Sequence, residues 1–188
     1  MVTDAPPPLG QRIHVISTSG AGKTTTASQL AEILGYQHIE IDQLHWRPKW
    51  EKPPLQEFRE KVSSALNGNA WVIDGNYGKV RDIIWRRADT IVWLNYSLAI
   101  ILMQLIPRTI RRIISREELW AGNREDFKTS FLSKESIILW ALGSYKRHKK
   151  EYPRLFALTE NQHLRIIYLH NRREKEAFLS DLAQRENT

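Results

Sequence analysis

The chain has 188 residues and a formal net charge of +7, and it contains no cysteine. The length suits one domain with a sizeable core, and the missing thiols exclude a disulfide scaffold, cysteine nucleophiles and cysteine-ligated zinc. Twelve Lys/Arg stand against six Asp/Glu between Arg108 and Arg154, so nearly the whole surplus (12 − 6 = 6) lies there, which implies an acidic partner such as nucleotide phosphate or a nucleic-acid backbone.

Residues 1–10 contain Pro6-Pro7-Pro8 and read as a flexible leader without a signal-peptide pattern, and residues 11–188 read as a single domain. Ile13 to Ile16 predicts a buried parallel strand. Ser17-Thr18-Ser19-Gly20-Ala21-Gly22-Lys23-Thr24 follows it and opens a predicted helix over Lys23–Leu34, stopped by Gly35. Strand, glycine-rich turn and Lys-Thr at a helix start form the Walker A arrangement, which cradles phosphate on backbone amides. Ser19, Gly20, Ala21, Gly22, Lys23, Thr24 and Thr25 are therefore expected to bind a nucleoside triphosphate. Lys23 would reach the β/γ oxygens and the Thr24 hydroxyl would ligate Mg²⁺. Ser17 replaces the usual first glycine of the motif.

Gln37–Ile41 predicts a second strand, and Asp42–Pro54 a Trp- and Pro-rich connection. A helix then carries an apolar stripe of Leu55, Phe58, Val62, Ala65 and Leu66 up to Asn67-Gly68. Asp42, just past the second strand, either orients or deprotonates an acceptor hydroxyl or caps the next turn. His45, Trp46 and Trp50 read as packing residues. Ala70–Ile73 predicts a third strand, and Asp74 at its end is placed as a second Mg²⁺ group, with an Asp-Gly turn as the alternative. A short helix over Lys79–Arg87 precedes a fourth strand, Thr90–Leu94, apolar after Thr90 as a sheet covered on both faces requires.

Ser97 is a predicted cap for a helix reaching about Arg116, with Pro107 expected to kink or restart it. Arg108, Arg112 and Arg116 share one helical face, and Arg124 follows in the loop Gly122-Asn123-Arg124-Glu125. Arg108, Arg112 and Arg124 are expected to neutralise charge on the transferring phosphoryl group from a lid over residues 108–130. Ser130–Lys150 predicts a helix whose closing run, Lys146-Arg147-His148-Lys149-Lys150, reads as a solvated face favoured by the helix dipole. A fifth strand, Leu164–Leu169, leads to a last helix over Arg173–Gln184. Arg172 either flanks the adenine or stands beside a cap made by Asn171. Strands alternating with helices argue for an α/β fold with a parallel sheet. No stretch is long and apolar enough for a membrane span, so a cytoplasmic protein, monomeric or homodimeric, is expected.

At these residues the chain resembles the adenylate-kinase-like P-loop kinases, and within them the subgroup labelled DNA topology modulation proteins, kinases of poorly defined substrate. The resemblance is carried by Ser19 to Thr24, by Ile41-Asp42-Gln43-Leu44-His45-Trp46 and by Trp71-Val72-Ile73-Asp74-Gly75-Asn76-Tyr77. It continues in Ala88 to Leu94, Leu119 to Glu125 and Arg172-Arg173-Glu174. It implies a three-layer P-loop NTPase fold with a five-stranded parallel sheet in the order 2-3-1-4-5, a helical lid after strand 4, and ATP·Mg²⁺ as donor. The Thr-Gly-Asp-type pattern of true adenylate kinases is missing after the second strand. Asp42-Gln43-Leu44-His45 is instead similar to the acceptor segments of shikimate and gluconate kinases, so residues 42–68 become the acceptor side. The implied activity is phosphoryl transfer to a hydroxyl-bearing small molecule or a nucleoside-like acceptor. A DNA-associated regulatory ATP-binding protein and a simple ATPase remain as alternatives. Nucleic acid is the lesser of the possible partners, because no helix-turn-helix, zinc-finger or aromatic RNA-binding pattern is present.

Overall fold

The computed structural model describes residues 9–127, 130–131 and 136–186. Parts of the expected leader, lid and sixth helix lie outside the described residues: 1–8, 128–129 and 132–135.

Five strands form one parallel sheet in the order β2-β3-β1-β4-β5: β1 Arg12–Ser17, β2 Gln37–Glu40, β3 Trp71–Asp74, β4 Thr90–Leu94 and β5 Arg165–Leu169. Every strand therefore presents its carboxyl end at the same edge, where ligands of open α/β sheets collect. The helices are α1 Lys23–Leu34, α2 Ile41–His45, α3 Leu55–Ala65, α4 Arg81–Arg87, α5 Leu98–Ser115, α6 Ile137–Phe156 and α7 Arg172–Glu186.

Alternation along each strand divides the core into two layers. Ile16, Trp71, Ile73, Ile91 and Trp93 pack with Phe58, Val62, Ile84 and Tyr152 on the face covered by α3, α4 and α6. Ile13, Val15, Val72, Val92 and Leu94 pack with Ala27, Leu30, Ile101, Leu179 and Leu182 on the face covered by α1, α5 and α7. All of β3 and β4 is buried, which accounts for their unbroken apolar runs. Leu9, at the start of the described chain, leans on the second layer.

Several expectations need correction. Ile41 opens α2 rather than ending β2, and Leu55 at the start of α3 is exposed rather than part of its buried stripe. α5 runs unbroken through Pro107, with Ser97 accepting from the Ile100 amide as its cap. The carbonyl that Pro107 deprives of a partner belongs to Met103, and both residues face outward, where water can take the donor's place. α6 starts later than expected, capped by Ser136, and continues past Lys150 to Phe156. Burial of Tyr152 and stacking of Phe156 on Trp85 carry it through the basic run and Pro153. The run is thus mid-helix, with no helix end to favour it. His148 is buried, and Lys149 donates to the Asn95 carbonyl at 3.3 Å and lies over Trp93, so the run is not a uniformly solvated face.

Candidate active site

The turn after β1 wraps around empty space at the sheet edge. Gly20 and Gly22 both adopt φ of 89°, a left-handed conformation that favours glycine. A Cβ on Gly20 would sit 2.7 Å from the Leu105 Cβ, so α5 presses directly on this turn. Ser17 ends β1 in extended backbone and needs no glycine, which explains why the motif survives the substitution. Asn76 clamps it from both sides, accepting from the Ser17 amide at 3.2 Å and donating to its carbonyl. The Ala21 amide is used internally, on the Thr18 carbonyl at 3.2 Å. Among the described residues the amides of Gly20, Gly22, Lys23, Thr24 and Thr25 have no partner. Together they form an anion nest at the positive end of the α1 dipole.

Lys23 points into the same space and makes no ion pair with any described residue. Burial pushes its ammonium pKa down, while the charges of Asp74 and Asp42 act in the opposite sense and that of Arg108 adds to the depression. Arg108, on the inner face of α5, is likewise pushed down, first by burial and next by Arg112; its buried Nε has no partner. Donor-rich turn, unpaired ammonium and orphaned guanidinium nitrogen are features that a polyphosphate would satisfy.

The carboxylates stand opposite. Asp74 is buried at the end of β3, with Oδ1 accepting from the Thr24 hydroxyl at 3.0 Å and Oδ2 facing His38 Nε2 at 2.9 Å. No group of three or more His, Asp or Glu among the described residues could hold a metal ion unaided. A hydroxyl and one carboxylate completed by phosphate and water is how Mg²⁺ is ordinarily kept, and Thr24 with Asp74 fits it. Asp42 lies in the first turn of α2 and makes no cap bond there. Its Oδ1 accepts from the Tyr77 hydroxyl. Burial raises the Asp42 pKa, against the hydrogen bond from Tyr77 and the charge of Lys23.

Around this centre, His45 is packed between Trp46, Phe58 and Tyr77 at ring distances of 4.4–4.8 Å, and burial lowers its pKa to about 4. Trp46 and Trp50 meet edge to face at 5.2 Å. With its amide oriented to satisfy both neighbours, Gln104 donates to the Gly20 carbonyl at 3.0 Å and accepts from Arg172 Nε at 2.9 Å. Arg172 thus reaches the phosphate turn through α5. Asn171 caps α7, accepting from the Glu174 amide at 2.9 Å, as one of the two sequence readings of this loop expects.

The structure gathers Ser19–Thr25, Asp42, Asp74, Arg108 and Arg172 at one edge. It does not bring Arg112 and Arg124 to the same point: Arg112 is held by Glu117 (3.2 Å) and Glu125 (3.3 Å), and Arg124 is exposed beside Glu118 at 3.6 Å. The loop expected to be a lid is fastened instead to Glu40, Arg47 and Trp50. Asn123 accepts from the Trp50 amide and donates to the Arg47 carbonyl, both at 2.9 Å, while Trp120 donates to Glu40 at 2.9 Å. Lys49, Trp50 and Ala121 carry positive φ in the two facing turns.

Sequence reasoning missed His38, Asn76, Tyr77 and Gln104. The first and last carried no signal, because a polar residue in a strand or on a helix reads as solvated. Asn76 and Tyr77 did carry one, since they follow Asp74-Gly75 directly in a segment already singled out. Asn76 and Tyr77 also line a cleft with Arg81, Arg147 and His148, which adds α4 and α6 to the walls.

No protein-family profile matches the chain. Over 131 residues it is 26% identical to the uncharacterized protein YqaC of Bacillus subtilis (strain 168), covering 69% of this chain and 73% of that protein. Over 124 residues it is 25% identical to a shikimate kinase of Thermosynechococcus vestitus, covering 58% of this chain and 68% of the relative. Two solved structures share its fold. A gluconokinase from Sinorhizobium meliloti 1021 superposes with a TM-score of 0.52 at 18% identity, over 95% of this chain and 97% of that one. A shikimate kinase from Acinetobacter baumannii in complex with shikimate gives 0.55 at 16% identity, over 93% and 92%. The fold is that of the P-loop kinases, with the strand order 2-3-1-4-5 expected from the sequence. No helix of the described residues is long and apolar enough to cross a membrane.

Proposed function

We propose that the chain transfers the γ-phosphoryl group of ATP to a hydroxyl group of a small molecule. The observation that carries this reading is the meeting of two opposed chemistries at one sheet edge. A nest of partnerless amides with an unpaired Lys23 faces a half-buried carboxylate, Asp42, that no cation among the described residues meets at salt-bridge distance. The first suits a triphosphate; the second suits a proton leaving an acceptor. The kinase names of the shikimate kinase relative and of the two structural neighbours support the same reading.

In this scheme the triphosphate lies along Ser19 to Thr25 and Arg172 borders the base. Thr24 and Asp74 would hold Mg²⁺, which spreads the negative charge that builds on the phosphate oxygens. The acceptor hydroxyl gives its proton to Asp42 as its oxygen bonds to the γ-phosphorus. The bond from that phosphorus to the β–γ bridging oxygen breaks, and ADP leaves with the electron pair. Lys23 and Arg108 stabilise the phosphoryl oxygens during transfer. Arg112 and Arg124 join them after the lid swings from its hold on Glu117, Glu118 and Glu125.

The test is a screen of hydroxyl-bearing metabolites with γ-labelled ATP and Mg²⁺, using wild type and Lys23→Ala. Label is expected in one chemical class of acceptor with wild type only. Label released solely as inorganic phosphate would reduce the protein to an ATPase. Normal transfer by folded Lys23→Ala would remove the scheme.

A further inference from the structure

The segment Asp74-Gly75-Asn76-Tyr77 makes hydrogen bonds to β1, to the start of α1 and to α2. Asp74 receives the Thr24 hydroxyl, Gly75 offers its carbonyl to His14 at 2.8 Å, Asn76 clamps Ser17, and Tyr77 reaches Asp42. Three of these contacts hold backbone or the phosphate turn. The fourth is different, because it spans from the end of β3 to a side chain of the acceptor wall, 35 residues away in sequence.

We propose that Tyr77 is the positioning residue of Asp42: its phenol pins Oδ1 and thereby fixes the edge that the carboxylate turns toward the acceptor hydroxyl. The proposal rests on the phosphotransfer reading above. The ring of Tyr77 is itself immobilised, lying 4.4 Å from the His45 ring and 5.4 Å from Phe58, so its hydroxyl is delivered from a rigid support. On the five-residue helix α2 the carboxylate's hydrogen-bonding side chains are the Tyr77 phenol and the Trp46 indole, and of the two the phenol has the larger effect on its ionisation and comes from a different element. A proton acceptor must be held within hydrogen-bond reach of the group it serves, and a phenol donor achieves that without neutralising it. A lysine or arginine at the same place would form an ion pair and lower the basicity the step needs.

The same contact favours the ionised carboxylate. Asp42 faces Lys23 from α1, Asp74 from β3, Tyr77 from the loop after β3, Arg108 from α5, and the Trp46 indole and neutral His45 on its own side. Burial and Asp74 oppose ionisation, whereas Tyr77, Lys23 and Trp46 favour it. Removing one phenol hydrogen bond to a charged group is expected to move the Asp42 midpoint up by about one pH unit.

Two readouts decide the matter. The first needs no acceptor: carbon-detected NMR of the Asp42 carboxyl (identified with Asp42→Asn) and of the Tyr77 ring carbon bearing the hydroxyl. In wild type both signals are expected to step at one midpoint, and in Tyr77→Phe the carboxyl midpoint rises by about one unit. Independent titration of the two signals in wild type overturns the proposal even if Tyr77→Phe does not fold. The second uses the acceptor found in the screen: Tyr77→Phe is expected to lower kcat about tenfold on the acid limb of its pH profile, to recover as pH rises through the displaced midpoint, and to keep the KM for MgATP within about twofold. A kcat that falls without any displacement of its acid limb assigns Tyr77 to mere packing and overturns the proposal. If wild type phosphorylates nothing, the phosphotransfer reading falls, while the NMR titration still decides whether Tyr77 and Asp42 act as a pair.

Discussion

Lys23 is a cation held half-buried without an ion-pair partner, which costs the fold stability rather than contributing to it. Lys23→Met is therefore expected to leave the thermal midpoint unchanged or higher while cutting ATP turnover by at least about a hundredfold. Calorimetric unfolding beside an ATPase assay checks both halves. His14 shows the opposite economy. It is buried in β1, its Nε2 donates to the Gly75 carbonyl and its Nδ1 accepts from the Trp85 indole at 3.0 Å, which fixes a neutral tautomer. Burial lowers its pKa from 6.5 to about 4, with the Gly75 hydrogen bond and Asp74 opposing. The folded value lies below the unfolded one, so the unfolded chain takes up the proton first, and stability falls as pH drops from 6.5 toward 4. From His14 alone about 2 kcal/mol is expected to be lost between pH 7 and pH 5. Urea unfolding at those two pH values measures it; an imidazole NMR midpoint near 6.5 would contradict the tautomer assignment.

At the scale of elements, the phosphate turn and α5 are one unit, because the turn's left-handed glycine lies against Leu105. Gly20→Ala is expected to cost at least about 2 kcal/mol, combining backbone strain with a clash against a packed helix. Gly22→Ala meets strain but open space, its nearest neighbour being the flexible Gln104 at 4.0 Å, and is expected to cost about 1 kcal/mol. Denaturant titrations of the two variants rank them. Most elements were legible in the sequence: α1 and β4 match their expected bounds, since a buried strand and a capped amphipathic helix write their ends in local residues. The ends of α5 were legible too, but its unbroken course through Pro107 and the ends of α6 were not, because a proline rule assumes that the orphaned carbonyl is starved of donors. Here the carbonyl beside Pro107 lies on an exposed face open to solvent, and distant aromatic partners, Trp85 and Trp93, extend α6 past the basic run. The same limit applies to the site. Walker residues, Asp42 and Asp74 are each named by a strand end plus their chemistry. Tyr77 and Gln104 acquire roles only from what lies across the cleft.

For the whole molecule, hydrogen bonds fasten the loop 118–125 to the wall formed by residues 40–50, joining segments 73 residues apart at Trp50 and Asn123. Asn123→Ala removes both of its bonds to that wall and is expected to cost about 2 kcal/mol locally. Hydrogen exchange at the Trp50 amide should then quicken by more than tenfold, with amides of β1 and β4 unaffected. Protection at Trp50 equal to wild type would show that the docking is carried by the remaining contacts.

The same docking bears on how such a protein acquires a new clientele. Under the proposed phosphotransfer, phosphate handling would be anchored in β1, α1 and the end of β3, and the second reactant would be enclosed by residues 40–50 together with 118–125. A graft of either wall alone from another protein of this fold would arrive with mismatched hydrogen-bond partners; grafted as a couple, they bring their own fastening. Recombination in this lineage should therefore be tolerated in joint exchanges and punished in solitary ones, which a small library of single and paired chimaeras would reveal in soluble yield.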